Sequence, residues 1–510
     1  MRTRQLLLIS TVKEKICEYL TFDEACKFRD ALDLPSLKCP VRVDDKDGLI
    51  FTLWGINDQT IFTSSLIQKY GSRKSLRMVF FEGKLLIAKL LIKSSRDINL
   101  IGRNGNTSLI QACMACAVNL VEMLIASGVN TNTKNKYGNT ALMCISQKSS
   151  QFLSPINSVK IWIQMAKLLL NAGAEVTTAN VNGETSLMLA AENGHFELVE
   201  ILLASLIDRN QIQEINKIDD TGRSALMKAA ENGHIATVKM LCEYGTDVNI
   251  SSELGLTALM LASENGHTEV VKILIDWRAN VHETSQEGTT ALIYAVSANA
   301  PEIVKILLKK KADINVIDDD ADSALILASN DHSLEILEIL LMEGEDCDID
   351  LVNIEGDTAL ISAAAYGHFE AVKMLVEHKA DVNSANQDEH TALMSAALEG
   401  HSKIVNFLIE NKARIDDINR NGKTALMLAA EYNHIDVVED LISQKADINH
   451  QDRNGNTVLM LAAQNGHQNV VNFLIQHGAK LAPQNKDGVS LDVECDLSSC
   501  LDIVKFLLNH

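Results

Sequence analysis

The chain has 510 residues, of which 46% are apolar and only five are proline, a composition that excludes a disordered polymer. Its formal charge is −21, and because residues 1–100 hold 17 Lys/Arg against 12 Asp/Glu, the rest carries −26. So acidic a surface repels phosphate backbones, which argues against nucleic acid and for one or more proteins bearing a basic segment as partners.

Residues 1–45 read as a helical N-terminal segment. The run Leu6–Ile9 is far too short for the apolar stretch of a signal peptide, and nothing approaches a membrane span. The ten scattered cysteines suit a reducing compartment, so the expected location is cytoplasmic, without membrane insertion. Within residues 9–33, Ile16, the pair Tyr19-Leu20, Glu24-Ala25 and Phe28-Arg29 resemble an F-box core, in which these residue types recur at these offsets. Ile9-Ser10 stands near the place of that family's opening Leu-Pro. The resemblance implies a Skp1-type adaptor contacted by Ile16, Tyr19, Leu20 and Phe28. The other reading of the same residues is a helical cap over the open apolar edge of the first repeat. Residues 46–101 keep degenerate repeat features, among them Gly83, Leu90-Leu91 and Asp97-Ile98-Asn99, and read as one or more N-capping repeats.

From Thr107 onward one phrase recurs, Gly-x-Thr-Ala-Leu-Met-x-Ala-Ala-Glu-Asn-Gly-His, clearest at Gly183–His195, Gly222–His234 and Gly255–His267. Its Thr/Ser slot falls at 107, 140, 185, 224, 257, 290, 323, 358, 391, 424, 457 and 490, a period of 33 with three insertions. The slot hydroxyl is placed to cap a first helix by accepting a bond from an amide two or three residues on. Leu187, Ala190 and Ala191 then form one lean apolar face, Gly194 ends the helix, and Val199, Leu202 and Leu203 give a second helix its face. A single unit buries too little to stand alone, so stability belongs to the stack.

The phrase resembles the consensus of the ankyrin repeat family, Gly-x-Thr-Pro-Leu-His-x-Ala-Ala-x-x-Gly-His, over roughly residues 70–510. The resemblance implies an all-α solenoid of a turn plus two antiparallel helices per repeat: eleven repeats in 102–484 and a truncated C-capping repeat in 485–510. Two departures are consistent. The family's Pro is Ala at Ala141, Ala225, Ala258, Ala291, Ala324, Ala359, Ala392 and Ala425. Its His is Met at Met143, Met188, Met227, Met260, Met394, Met427 and Met460, so the polar network of that Thr and His does not carry over directly.

Insertions are expected near 146–164, 204–217 and 343–348, as loops able to reach a partner. Trp162 belongs either to the first of them or to a lengthened second helix with its ring in the core. Trp277, beside Arg278 where the family has a cap Gly, reads as a partly exposed contact candidate. Eight histidines from His195 to His467 share one slot and are therefore structural. Cys113 and Cys116 form a CxxC but occupy repeat packing slots, leaving redox or metal chemistry as the rarer reading. The acid clusters Asp318, Asp319, Asp320, Asp322 and Glu343, Glu345, Asp346, Asp348, Asp350 are either solvated turns or a partner patch, with calcium disfavoured by the absence of EF-hand spacing.

No phosphate loop, zinc-protease or nucleophile-elbow motif occurs, so neither an enzyme nor a cofactor is expected. The expected function is a monomeric interaction scaffold that binds one or more proteins on its turn tips and on the concave face that the resemblance implies for the first helices. The contact candidates on the tips are Asp219, Asp220, Glu253, Gln286, Glu287, Asp318, Asp319, Asp320, Glu355, Gln387, Asp388 and Arg420. The alternative joins an F-box to the repeats as the substrate receptor of a cullin-type ubiquitin ligase. That arrangement resembles effectors that intracellular bacteria deliver into a host cytoplasm, which would be the alternative location.

Overall fold

A computed structural model of the chain describes residues 105–147, 155–330, 333–344 and 346–480. The expectations for 1–45, 46–101 and 485–510 lie outside these residues. The described residues are helical, without a strand, and isolated bridges such as Ala179 with Thr185 and Val352 with Thr358 close the turns before inner helices.

The chain divides into two compact units, Met1–Glu253 and Leu254–His510. In the first, the helix pairs are α1 (Ser108–Met114) with α2 (Val118–Ala126), α3 (Ala141–Ser146) with α4 (Pro155–Asn171), α5 (Ser186–Glu192) with α6 (Phe196–Asp208), and α7 (Ala225–Glu231) with α8 (Ile235–Glu243). The second opens with α9 (Ala258–Glu264) and α10 (Thr268–Asp276), then α11 (Ala291–Ser297) and α12 (Pro301–Lys309), α13 (Ala324–Asn330) and α14 (Leu334–Glu343), α15 (Ala359–Ala365) and α16 (Phe369–Glu377). It continues with α17 (Ala392–Leu398) and α18 (Ser402–Glu410), α19 (Ala425–Glu431) and α20 (Ile435–Ser443), α21 (Val458–Gln464) and α22 (Gln468–Gln476).

The slot hydroxyl starts each inner helix as its chemistry predicts. Thr185 Oγ1 accepts the Met188 N–H at 3.3 Å and Thr424 Oγ1 accepts that of Met427 at 3.4 Å. The methionines complete the cap from the other side. The backbone N–H groups of Thr140 and Thr185 each donate to the sulfur of Met143 and Met188 at 3.4 Å, so a thioether closes the capping box where the ankyrin consensus has a ring. The consensus network of Thr and His does not carry over directly; at Thr140 and Thr185 a local cap with a weaker acceptor stands in its place.

Within each unit the inner helices stack on one another, α5 against α7 and α15 through α17 to α19, and their alanines let them approach. Ala190, Ala191, Ala396 and Ala397 are completely buried, as are Val199, Leu202 and Leu203 on the outer helix α6. Histidines tie neighbouring repeats. The His234 Nε2 lies 2.9 Å from the Glu192 carbonyl, and His401 and His434 reach the Ala365 and Leu398 carbonyls at 3.0 and 2.8 Å. Gly194 must be glycine on two counts: its φ is +66°, and a Cβ there would lie 2.5 Å from the His234 ring.

The described residues of the first two insertions are mostly helix rather than loop, whereas those of the third, near 343–348, leave the helix after Glu343. The lengthened α4 carries Trp162, which is 3% exposed, with its ring centroid 4.9 Å from that of His195. The extra residues after Thr185 lengthen α6 and form a 3-10 turn, Ile212–Asn216, with Leu206 and Ile215 buried. Among the described residues, no helix is long and apolar enough to cross a membrane.

Ser186 departs from the alanine of most repeats. It stands where other repeats have Ala225 or Ala258, and its hydroxyl is fully buried without a hydrogen-bond partner. Ser186→Ala is expected to raise stability by about 1 kcal/mol, read as a higher urea midpoint, because an unsatisfied buried hydroxyl forfeits its hydration for nothing. An unchanged or lower midpoint contradicts this.

Candidate partner-binding surface

The turns that precede the inner helices are rigid fingers. The residue five before the Thr/Ser slot accepts backbone N–H groups two and four residues on. Asn180 Oδ1 takes those of Asn182 and Glu184, and Asn353 Oδ1 takes those of Glu355 and Asp357, at 2.9 to 3.1 Å. Neighbouring fingers are joined by one backbone bond each. In the first unit Asp220 N–H donates to Asn182 O and Glu253 N–H to Thr221 O. In the second, Asp319 donates to Glu287 O, Ile354 to Asp320 O, Gln387 to Glu355 O and Arg420 to Asp388 O.

This geometry sorts the contact candidates. Asp220, Glu253, Gln286, Glu287, Asp319, Asp320, Glu355, Gln387, Asp388 and Arg420 are exposed. Asp219 is not. It is buried, accepts the Thr221 and Arg223 N–H groups and the Thr221 hydroxyl, and lies 3.2 Å from the Lys228 ammonium, so the expectation that it meets a partner is corrected. Asp318 fills the same slot, accepting the Asp320 and Asp322 N–H groups, and is likewise a turn organiser. Asp350 is a rung between repeats, accepting the Asp381 N–H at 3.0 Å. Trp277 ends α10, off the fingers, 44% exposed, next to Arg278, which takes the left-handed φ of +67° in the cap position. Glu345 and the F-box-like residues Ile16, Tyr19, Leu20 and Phe28 lie outside the described residues.

The second unit's fingers combine acid with exposed aliphatic side chains. Ile317, Val352 and Ile418 share one position, six before the slot, and Ile354 projects at a tip. The acids crowd one another. Burial pushes the Asp322 carboxyl up, and the charges of Asp318, Asp320 and Glu355 push it further, so an approaching cation relieves repulsion. Arg420 is the exception in sign, pairing with Asp388 at 3.4 Å.

Lys228, 7% exposed on α7, is encircled by Glu184 at 2.9 Å, Asp219 at 3.2 Å and Glu192 at 3.7 Å. The closed ion cluster serves the fold. Cys113 is buried and Cys116 half-buried, and among the described residues no His, Cys, Asp and Glu cluster could hold a metal ion.

Sequence reasoning missed two tyrosines. Tyr366 and Tyr432 take the slot at the end of an inner helix where Asn193, Asn232, Asn265 and Asn465 stand elsewhere, and they are 62% and 57% exposed. The signal was present as Ala-Tyr-Gly-His and Glu-Tyr-Asn-His in place of Glu-Asn-Gly-His.

The family described as ankyrin repeats (3 copies) matches residues 76–155, 158–252, 245–318, 325–419, 381–452 and 426–510. Among curated proteins, the chain is 30% identical over 131 residues to the ankyrin repeat and KH domain-containing protein mask-1 of Caenorhabditis elegans, which is 25% of this chain and 4% of that protein. It is 29% identical over 155 residues to an L-asparaginase of Dirofilaria immitis, 26% of either chain. The chain thus spans far less than two thirds of the relatives it matches.

Proposed function

The chain belongs to the ankyrin repeat family, and from that premise we propose that it is a non-enzymatic scaffold that binds a basic protein segment on the acidic fingers of its second unit. The observation that carries this reading is the row of exposed acids Glu287, Asp319, Asp320, Glu355 and Asp388 beside exposed Ile317, Val352 and Ile418, on fingers already fixed by backbone bonds. Rigid fingers lose little entropy on binding, while the acids steer a cationic partner and the aliphatic groups hold it. The L-asparaginase match involves about a quarter of either chain, and a repeat stack of this kind offers structural histidines instead of a catalytic one. No disulfide joins the described cysteines, and burial, with the charge of Glu243, pushes the Cys242 thiol up to about 12, which fits an inert thiol in a reducing cytoplasm.

Affinity capture with the full chain identifies the partner. Association is then measured with wild type and with Asp319→Asn, Asp320→Asn, Glu355→Gln combined. The variant is expected to associate several-fold more slowly at low salt, with a flattened salt dependence. Equal kinetics across the salt series would return these acids to a solvated role.

A second reading rests on the run from Ile16 to Phe28: an F-box-like segment that docks a Skp1-type adaptor, making the chain the substrate receptor of a ubiquitin ligase. Ile16→Asp with Leu20→Asp should abolish capture of purified adaptor while the repeats melt normally. Absence of adaptor binding by the wild type together with early melting of the variant assigns the segment to a structural cap.

A further inference from the structure

We infer that Tyr366, Glu399 and Tyr432 form a second contact strip that reads two cationic side chains held about six residues apart on an extended partner segment. The inference rests on the scaffold reading above and specifies the partner's chemistry.

The three residues occupy one slot in three consecutive repeats, each the residue that ends its inner helix, α15, α17 and α19. These helices pack side by side, so the slot repeats at the spacing of packed helices, about 8–10 Å, and the two rings stand about 16–20 Å apart. An extended chain advances about 3.3 Å per residue, so five or six residues bridge the rings and the middle of that stretch passes Glu399.

Both rings are open to an incoming side chain. Tyr366 is exposed and keeps one face on His368, with centroids 5.9 Å apart and planes 20° from parallel. Neither ring is required by the fold, because four other repeats place Asn in the slot. Exposed tyrosines are the residue type that anchors interfaces, through a large rigid area and a ring face that attracts Lys or Arg. The surrounding charge selects the sign of the occupant. Glu399 is exposed and has no ion pair among the described residues, and the Lys423 ammonium is engaged by Glu431, the residue before Tyr432, at 2.5 Å. A basic peptide therefore meets two unoccupied ring faces and one unneutralised carboxylate.

The test is selection of a phage-displayed random twelve-residue peptide library on the full chain, followed by fluorescence anisotropy with the synthetic consensus peptide. Recovered sequences are expected to carry Lys or Arg at two positions about six apart. Tyr366→Ala with Tyr432→Ala should weaken the consensus peptide at least tenfold, Tyr366→Phe with Tyr432→Phe should retain it, and Glu399→Gln should weaken it several-fold and only at low salt. Thermal melts of all three variants should match wild type, since the side chains are exposed. A selection without that spacing, or alanine variants that bind within twofold of wild type, overturns the inference. If the selected peptides ignore the tyrosines but lose binding to Asp319→Asn, Asp320→Asn, Glu355→Gln, the finger reading stands and the tyrosine strip falls. If both sets of variants bind normally, both readings fall.

Discussion

Lys228→Ala is expected to destabilise the first unit by about 3–5 kcal/mol, the cost of leaving a buried charge cluster without its counter-ion. The Lys228 ammonium lies between Glu184 and Asp219, and neither carboxylate can leave: Asp219 fixes the turn through the Thr221 and Arg223 N–H groups, and Glu184 accepts from Asn180. Burial raises both carboxyls, but hydrogen bonds, including those from Lys228, outweigh it and hold them below their ordinary values of 4.5 and 3.8. Burial lowers the ammonium, and the same partners hold it above 10.5. The carboxylates' contribution is therefore complete above about pH 4.5 and is lost as pH falls through their lowered values. That of Lys228 is complete below 10.5 and is lost as pH rises through its raised value. Urea unfolding at pH 7 checks the magnitude, with Glu192→Gln as a milder comparison because Glu192 is half-exposed and more distant, at 3.7 Å. A loss below about 1 kcal/mol for Lys228→Ala would mean that the cluster contributes no more than a surface pair.

Leu393→Ala should cost about 2–5 kcal/mol, with the damage confined to its neighbourhood. Leu393 is 1% exposed on α17, which packs on α15 and α19 within the second unit. Contacts in a stack run between neighbours, so limited proteolysis of the variant should open near Thr391 while residues near Thr290 stay protected. Loss of protection spread evenly through the second unit would contradict a nearest-neighbour stack.

The helix pairs were legible because Thr185, Leu187, Ala190, Ala191 and Gly194 each have one local job and recur at a fixed period. The roles of Asp219 and Asp318 were misread although the same period carried them. Their slot holds Asn135, Asn180, Asn353, Asn386 and Asn419 elsewhere, and an Asx acceptor recurring in one slot marks a turn organiser, as the repeated histidines marked a helix junction. The methionine sulfur in the cap was not legible, because a thioether reads as apolar until its distance to the Thr N–H is known. Tyr366 and Tyr432 were visible as departures from Asn, but only their exposure separates a contact residue from a core aromatic.

The central claim is that residues buried between repeats hold the fold while exposed finger residues of the second unit carry binding. Hydrogen–deuterium exchange of the full chain, with and without the captured partner, tests it most directly. The account predicts slowed exchange at residues 317–320, 352–355, 385–388 and 418–421, with the outer helices α14, α16, α18 and α20 unchanged. Protection confined to those outer helices, with the fingers exchanging as in the free chain, would contradict it.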